Sequence, residues 1–135
     1  MNSIALQELT PSGVQNAFAE IEQNRPDAMV VDSIGDLFPF SQIIVELAEK
    51  SRVPAMYPWR DYMEAGGLMA YAGDFGELGR RCADDVHEIL NGAKPGDIPI
   101  YQPTKFELVI NLNAAKTLGI VIPPALLGLA DEVID

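Results

Sequence analysis

Apolar residues along the chain fall into short runs bounded by Pro, Gly and Asn, and the runs alternate between two spacings. Ile4 to Leu9 reads as a short strand. Thr10-Pro11 then supplies an N-cap with Pro at the first helical position. Val14, Ala17, Phe18 and Ile21 sit at offsets of three, four and seven, which places them on one face of a helix. Asn24-Arg25-Pro26 ends that helix, because the residue before a proline avoids the helical region. Ala28 to Val31 is a continuous apolar run closing on Asp32, the shape of a strand covered on both faces. The loop Ser33-Ile34-Gly35-Asp36 follows, and Phe40, Ile43, Ile44 and Leu47 mark a second helix.

Two further buried strands are expected at Val53 to Met56, ended by Tyr57-Pro58, and at Leu68 to Tyr71, ended by Ala72-Gly73. Asp74 is placed to cap the longest helix, along which Phe75, Leu78, Cys82, Val86 and Ile89 recur every three or four residues. Cys82 lies on that stripe and reads as a small core residue. Gly92 and Pro95 stop the helix. Phe106 to Leu112 makes a last strand. Asn113 opens a short helix that Gly119 stops, and Pro123-Pro124 starts another. Strands alternating with helices predict an α/β three-layer sandwich with a mainly parallel sheet. Ligands of such sheets sit outside the carboxyl ends of the strands. Here those ends carry Asp32-Ser33, Tyr57-Trp59-Arg60 and Tyr71-Gly73.

Composition narrows the function classes. A chain of 135 residues, 48% hydrophobic, can bury one core as a single domain. Residues 4–73 form its βα units and 74–135 a long helix, a strand and closing helices. Twenty acidic residues against nine basic ones give a formal charge of −11, which repels phosphate backbones and argues against nucleic acid as a partner. The lone Cys82 excludes an internal disulfide and a multi-cysteine zinc site. Asp84, Asp85, His87 and Glu88 form a solvated acidic face rather than a metal site, since no ligand elsewhere completes them. The only His is mid-helix, and neither a nucleophile elbow nor a phosphate loop occurs. No catalytic residue, metal or cofactor is therefore assigned. No apolar stretch reaches the ~20 residues that span a bilayer. Met1-Asn2-Ser3-Ile4 lacks the basic and apolar regions of an export signal, which places the protein in the cytoplasm if Met1 is its true start.

The strand-end residues suggest small-molecule binding. Tyr57, Trp59 and Tyr71 offer rings for stacking, and Arg60 offers a planar fork for a carboxylate. The alternative for Tyr57 and Trp59 is the rim of the core, and for Arg60 a pair with Asp61 or Glu64. Glu64 is a further candidate ligand contact, and Asp32, with Ser33 beside it, is a candidate partner for a ligand ammonium, although Asp32 also suits a simple turn cap. Gly66, Gly67 and Gly73 are candidate hinge positions, or ordinary turn glycines.

The run Val53-Pro54-Ala55-Met56-Tyr57-Pro58-Trp59-Arg60-Asp61-Tyr62-Met63-Glu64-Ala65-Gly66-Gly67-Leu68-Met69-Ala70-Tyr71 closely resembles a signature of the ABC-transporter substrate-binding proteins of tryptophan/tyrosine transport-system type. Asn91-Gly92-Ala93-Lys94-Pro95, Gln102-Pro103-Thr104-Lys105-Phe106-Glu107-Leu108-Val109-Ile110-Asn111 and the ending from Ala114 to Ile134 follow in the same family order. The resemblance implies part of a type I periplasmic binding protein, whose two α/β lobes trap a ligand between them. It implies an aromatic amino acid or similar small organic ligand, an ABC permease as partner, and a periplasmic or otherwise extracytoplasmic location. It also implies that the chain starts at the second strand of the second lobe, lacking a neighbour between Ile4–Leu9 and Ala28–Val31. Such a gap bares a sheet edge and apolar surface, so a homodimer or higher oligomer is expected. The rival expectations are a truncated oligomeric remnant without a transport role and a small α/β enzyme, the latter lacking any acid–base pair.

Overall fold

The structure is a computed structural model that describes residues 3–33 and 35–135, so Ile34 of the predicted loop lies outside the described residues. Five strands form one sheet in the order β1 (Met29–Val30), β2 (Ala55–Tyr57), β3 (Met69–Gly73), β4 (Phe106–Asn111) and β5 (Glu132–Ile134). β1, β2 and β3 run parallel, β4 is antiparallel to β3, and β5 is parallel to β4. The mainly parallel α/β sheet expected from the alternating pattern is present.

Side chains alternate across this sheet, and helices cover both faces. One face carries Met29, Ala55, Tyr57, Ala70 and Val109. It packs on Val14 and Phe18 of α1 (Pro11–Asn24), on Ile44, Val45 and Ala48 of α2 (Ser41–Lys50), and on Tyr62 and Met63 of α3 (Asp61–Glu64). The other face carries Met69, Leu108 and Ile110. It packs on Ala115 of α5 (Leu112–Leu118), on Ile122, and on Leu126 and Leu127 of α6 (Pro124–Leu127). Tyr62 and Ile110 are fully buried, one in each layer.

The helix boundaries follow the capping residues. The Thr10 hydroxyl accepts from the Gly13 N–H at 3.1 Å, with Pro11 at the first helical position. Asp74 accepts from the Glu77 N–H at 3.0 Å and opens α4 (Phe75–Leu90). Asn111 accepts from the N–H groups of Asn113 and Ala114 and opens α5.

Three expectations are corrected. Ile4 to Leu9 is not a strand. Its exposure alternates, with Ile4 and Leu6 half-buried and Leu6 against the core, but a ladder needs a neighbour and this segment pairs with none. β1 is not covered on both faces: it is the sheet edge, and Val30 is 56% exposed. Cys82 is exposed rather than a core residue, because no residue of α4 is buried. α4 is held to the returning segment by polar contacts: Lys105 to Asp74 at 2.9 Å, the Tyr101 hydroxyl to Glu77, and Arg81 over the Tyr101 ring at 5.9 Å.

Candidate functional site

The parallel strands β1, β2 and β3 end on one side of the sheet, where three segments converge. After β1 the chain passes Asp32 and Ser33 into a single stretch of 3-10 helix, Gly35–Phe40. After β2, Pro58, Trp59 and Arg60 lead into α3, and after β3, Asp74 leads into α4. Gly35, Phe38, Trp59, Asp61 and Phe75 line an open concavity of about 410 Å³ between them. That volume lies within the range of sites for small organic molecules.

Three aromatic rings dominate the lining. Trp59 and Phe75 lie with ring centroids 5.0 Å apart at 38°, and Phe38 is 46% exposed beside them. The indole Nε1–H of Trp59 is shielded from solvent and has no acceptor among the described residues. A shielded donor without a partner is costly, and structures seldom keep one unless something else satisfies it. Asp61 is the charged residue of an otherwise apolar lining.

The remaining sequence candidates are distributed differently. Tyr57 is turned into the core at 2% exposure, its ring stacked on Tyr62 at 4.9 Å and 15°. Burial first, and then the neighbouring Tyr62 and Glu49, push its hydroxyl pKa well above the ordinary value, so it stays neutral. Strand alternation explains the placement: Tyr57 shares the covered face with Ala55 and Ala70, while Trp59 stands beyond the strand end. Arg60 is ion-paired with Glu132 of β5, a partner other than the expected Asp61 or Glu64, and its side chain remains 55% exposed. Glu64 is exposed at the end of α3, outside the concavity. Tyr71 points to the sheet face of Met69 and stacks on Phe106 at 5.4 Å, half-exposed and away from Trp59. Asp32 accepts from the Ser33 N–H at 2.6 Å, and both residues are exposed.

The three glycines also separate. Gly66 and Gly67 form the turn before β3, at the opposite end of that strand from the crossing. Gly66 has a φ of +92°, and a Cβ on Gly67 would lie 2.8 Å from both Tyr57 Cε2 and the Tyr62 carbonyl oxygen. They serve a turn and a close approach. Gly73 alone stands at the crossing from β3 towards α4.

Phe38, Phe75, Asp61 and Gly35 line the concavity without having been singled out. Phe75 was visible as the first residue of the α4 stripe, but periodicity gives no distance to Trp59. Phe38 follows the strand end by a few residues, within Phe38-Pro39-Phe40, and only the 3-10 turn brings it back.

The comparisons with known proteins agree with this architecture. Residues 12–134 match the family model described as ABC transporter substrate binding protein. A tyrosine-binding protein of Clostridioides difficile (strain R20291) is 24% identical over 109 residues, covering 81% of this chain and 31% of that protein. Among solved structures, a conserved domain protein from Vibrio cholerae O1 biovar eltor superposes with a TM-score of 0.85 at 28% identity, covering 93% of this chain and 42% of that one. An ABC domain in complex with L-Trp from Streptococcus pneumonia superposes with a TM-score of 0.82 at 26% identity, covering 93% of this chain and 43% of that one. The chain thus spans about a third of the length of the curated relative and less than half of each solved structure.

Proposed function

Because this chain belongs to the ABC transporter substrate-binding protein family, matched over residues 12–134, we propose that it binds a small aromatic amino acid at the ends of β1, β2 and β3. The shielded, unpartnered Nε1–H of Trp59 beside the rings of Phe75 and Phe38 carries this reading. A flat ring lies on the open side of these aromatics, where offset stacking adds to apolar burial. On binding, the Trp59 side chain turns to bring its shielded indole N–H to a polar group of the ligand. The ligand ammonium is assigned to Asp61, the charged residue of the lining. Arg60 serves the ligand carboxylate by exchanging Glu132, a step made accessible by the exposure of both side chains. No bond is made or broken. The tyrosine-binding relative and the L-Trp complex support the ligand class.

In this reading the protein works outside the cytoplasm and hands its ligand to an ABC permease. The concavity is open on one side, so a second wall is required to enclose the ligand. That openness favours one rival reading, a half-site that holds ligand only weakly until another lobe or subunit closes it.

Isothermal titration with L-Tyr, L-Phe and L-Trp tests the assignment, with glycine as a control. Heat with the aromatic amino acids, weakened about ten-fold or ~1.4 kcal/mol by Trp59→Phe, is the expected result. Trp59→Phe keeps an aromatic ring but removes the N–H donor together with part of the indole that packs on the core, so its fold and stability are checked by circular dichroism before titration. Absence of heat with all three amino acids at millimolar concentration, from protein folded by circular dichroism, would sink the proposal.

A further inference from the structure

The concavity at the strand ends is walled by rings, and among the described residues its lining holds an acid and no base. Phe38, Trp59 and Phe75 arrive from three different segments of the chain. Trp59 and Phe75 meet at 38° with centroids 5.0 Å apart, an angled wall rather than a parallel stack. Gly35 and Asp61 complete the lining. Each converging segment also carries acid in its sequence: Asp32 and Asp36 after β1, Asp61 after β2, and Asp74 after β3. Of the bases in these segments, Arg60 is paired with Glu132, and Lys105 with Asp74 at 2.9 Å. Arg80 lies back along α4 towards Gly76, outside the lining.

Aromatic faces are electron-rich, and a cation set against them is attracted by the ring quadrupole, most strongly by that of Trp. A methylated ammonium suits such a wall in two ways. Its charge is spread over methyl groups, so it sheds hydration more easily than a bare ammonium, and the same methyl groups make apolar contact. The carboxylate of a zwitterion meets no positive partner in the lining unless Arg60 leaves Glu132, whereas a simple cation needs no such exchange. The formal charge of −11 adds a long-range pull on cations. A concavity of about 410 Å³ holds a trimethylammonium head with room for the rest of a small molecule.

We infer that the concavity also selects methylated ammonium groups, so that the ligands of this chain extend to small quaternary ammonium compounds. The inference rests on the reading of the concavity as the small-molecule site, and differs in what the rings receive: a cationic head in place of a flat ring. Both ligand classes use one wall, so they compete.

Three small probes separate the contributions. Choline carries both charge and methyl groups. Ethanolamine carries the charge without the methyl groups. The neutral carbon isostere of choline, with a quaternary carbon in place of nitrogen, carries the shape without the charge. Each is titrated calorimetrically into the 135-residue chain at ~0.15 M salt, where a Debye length of about 8 Å suppresses distant charge. Choline should bind at least about ten-fold more tightly than either, ~1.4 kcal/mol. Its methyl proton resonance should move upfield, as protons above an aromatic face do. A merely apolar hollow prefers the neutral isostere, because only the cation gives up a strong hydration shell. A merely acidic one takes ethanolamine as well as choline. Either order overturns the inference.

Phe75→Leu removes one ring but keeps apolar bulk, at a position belonging to neither core layer. It should weaken choline about three-fold and leave the neutral isostere unchanged. Unaltered choline affinity in the folded variant rejects the inference, and if the variant does not fold, the order of the three probes on the native chain decides. L-Tyr, L-Phe and L-Trp are titrated into the same protein. Amino acids that bind where choline does not overturn the inference and leave the amino-acid reading standing, and choline that binds where they do not does the reverse. Where both bind, mutual displacement supports the shared wall, and independent binding rejects it.

Discussion

The chemistry of individual side chains here depends on which side of a strand end they occupy. Tyr57 and Trp59 are two residues apart, yet one ring is sealed against Tyr62 and the other stands at the rim of the concavity. Gly67 makes the sealed position possible, because its missing Cβ leaves room for the Tyr57 ring and the Tyr62 carbonyl. Gly67→Ala must push an aromatic pair and a backbone turn apart by several tenths of an ångström. A loss of about 1–3 kcal/mol is expected in urea unfolding, the usual cost of overpacking a filled site. Because Gly67 lies at the far end of β3, titrations of the variant with aromatic amino acids should match those of the parent at temperatures where it remains folded. Gly67 was noticed in the sequence as a possible hinge. Its packing role depends on a ring 10 residues earlier, which no local pattern reports.

At the scale of elements, caps and periodicity placed most boundaries where the signal is local, although α5 is capped by Asn111 rather than opened by Asn113. Thr10-Pro11 and Asp74 mark helix starts because the residues that satisfy the first N–H groups are adjacent in sequence. Ile4 to Leu9 was misread because a strand exists only by virtue of its neighbour, and Cys82 because a stripe identifies an apolar face without saying what covers it. β5, only Glu132–Ile134, is too short to stand out from the loop before it. The attachment of α4 is electrostatic and therefore titrates. The hydrogen bond from Lys105, and next the Glu77 N–H, lower the Asp74 pKa below its ordinary 3.8, while Asp74 raises that of Lys105 above 10.5. A lowered carboxylate pKa stabilises the fold above the ordinary value and ceases to do so as the pH falls through the folded one. A raised lysine pKa stabilises below its ordinary value and is lost as the pH rises through the folded one. The strut is thus intact at neutral pH and lost only as the pH falls below the ordinary carboxylate value of 3.8. Asp74→Asn keeps a competent N-cap but removes the charge. It should therefore open α4 to hydrogen exchange at pH 7 and flatten the acid dependence seen in the native chain.

For the whole molecule, the class of fold was legible because strands and helices alternate, and the family resemblance extended over most of the chain. The aromatic concavity at the strand ends, proposed as the binding surface, was legible in position for the same reason, through the general rule for parallel sheets. The membership of that surface was not. Of the seven residues put forward for ligand contact, only Trp59 lines the concavity, since alternation across the sheet sends Tyr57 inward and Tyr71 to the far face.

The pairing of Gly73 with Phe106 makes residues 74–105 one very long hairpin loop, entered and left at adjacent points of the sheet. Since α4 contributes nothing to either core layer, this loop is a detachable module. A miniature protein in which a two-residue type I′ turn such as Asn-Gly joins β3 directly to β4 should fold, with a melting transition close to that of the parent. The same miniature would have lost Phe75 and, with it, one wall of the aromatic cradle. Such grafting opens the concavity on one side while leaving Trp59 and Phe38 in place, and an unfolded miniature would show that the module stiffens the sheet through its two roots.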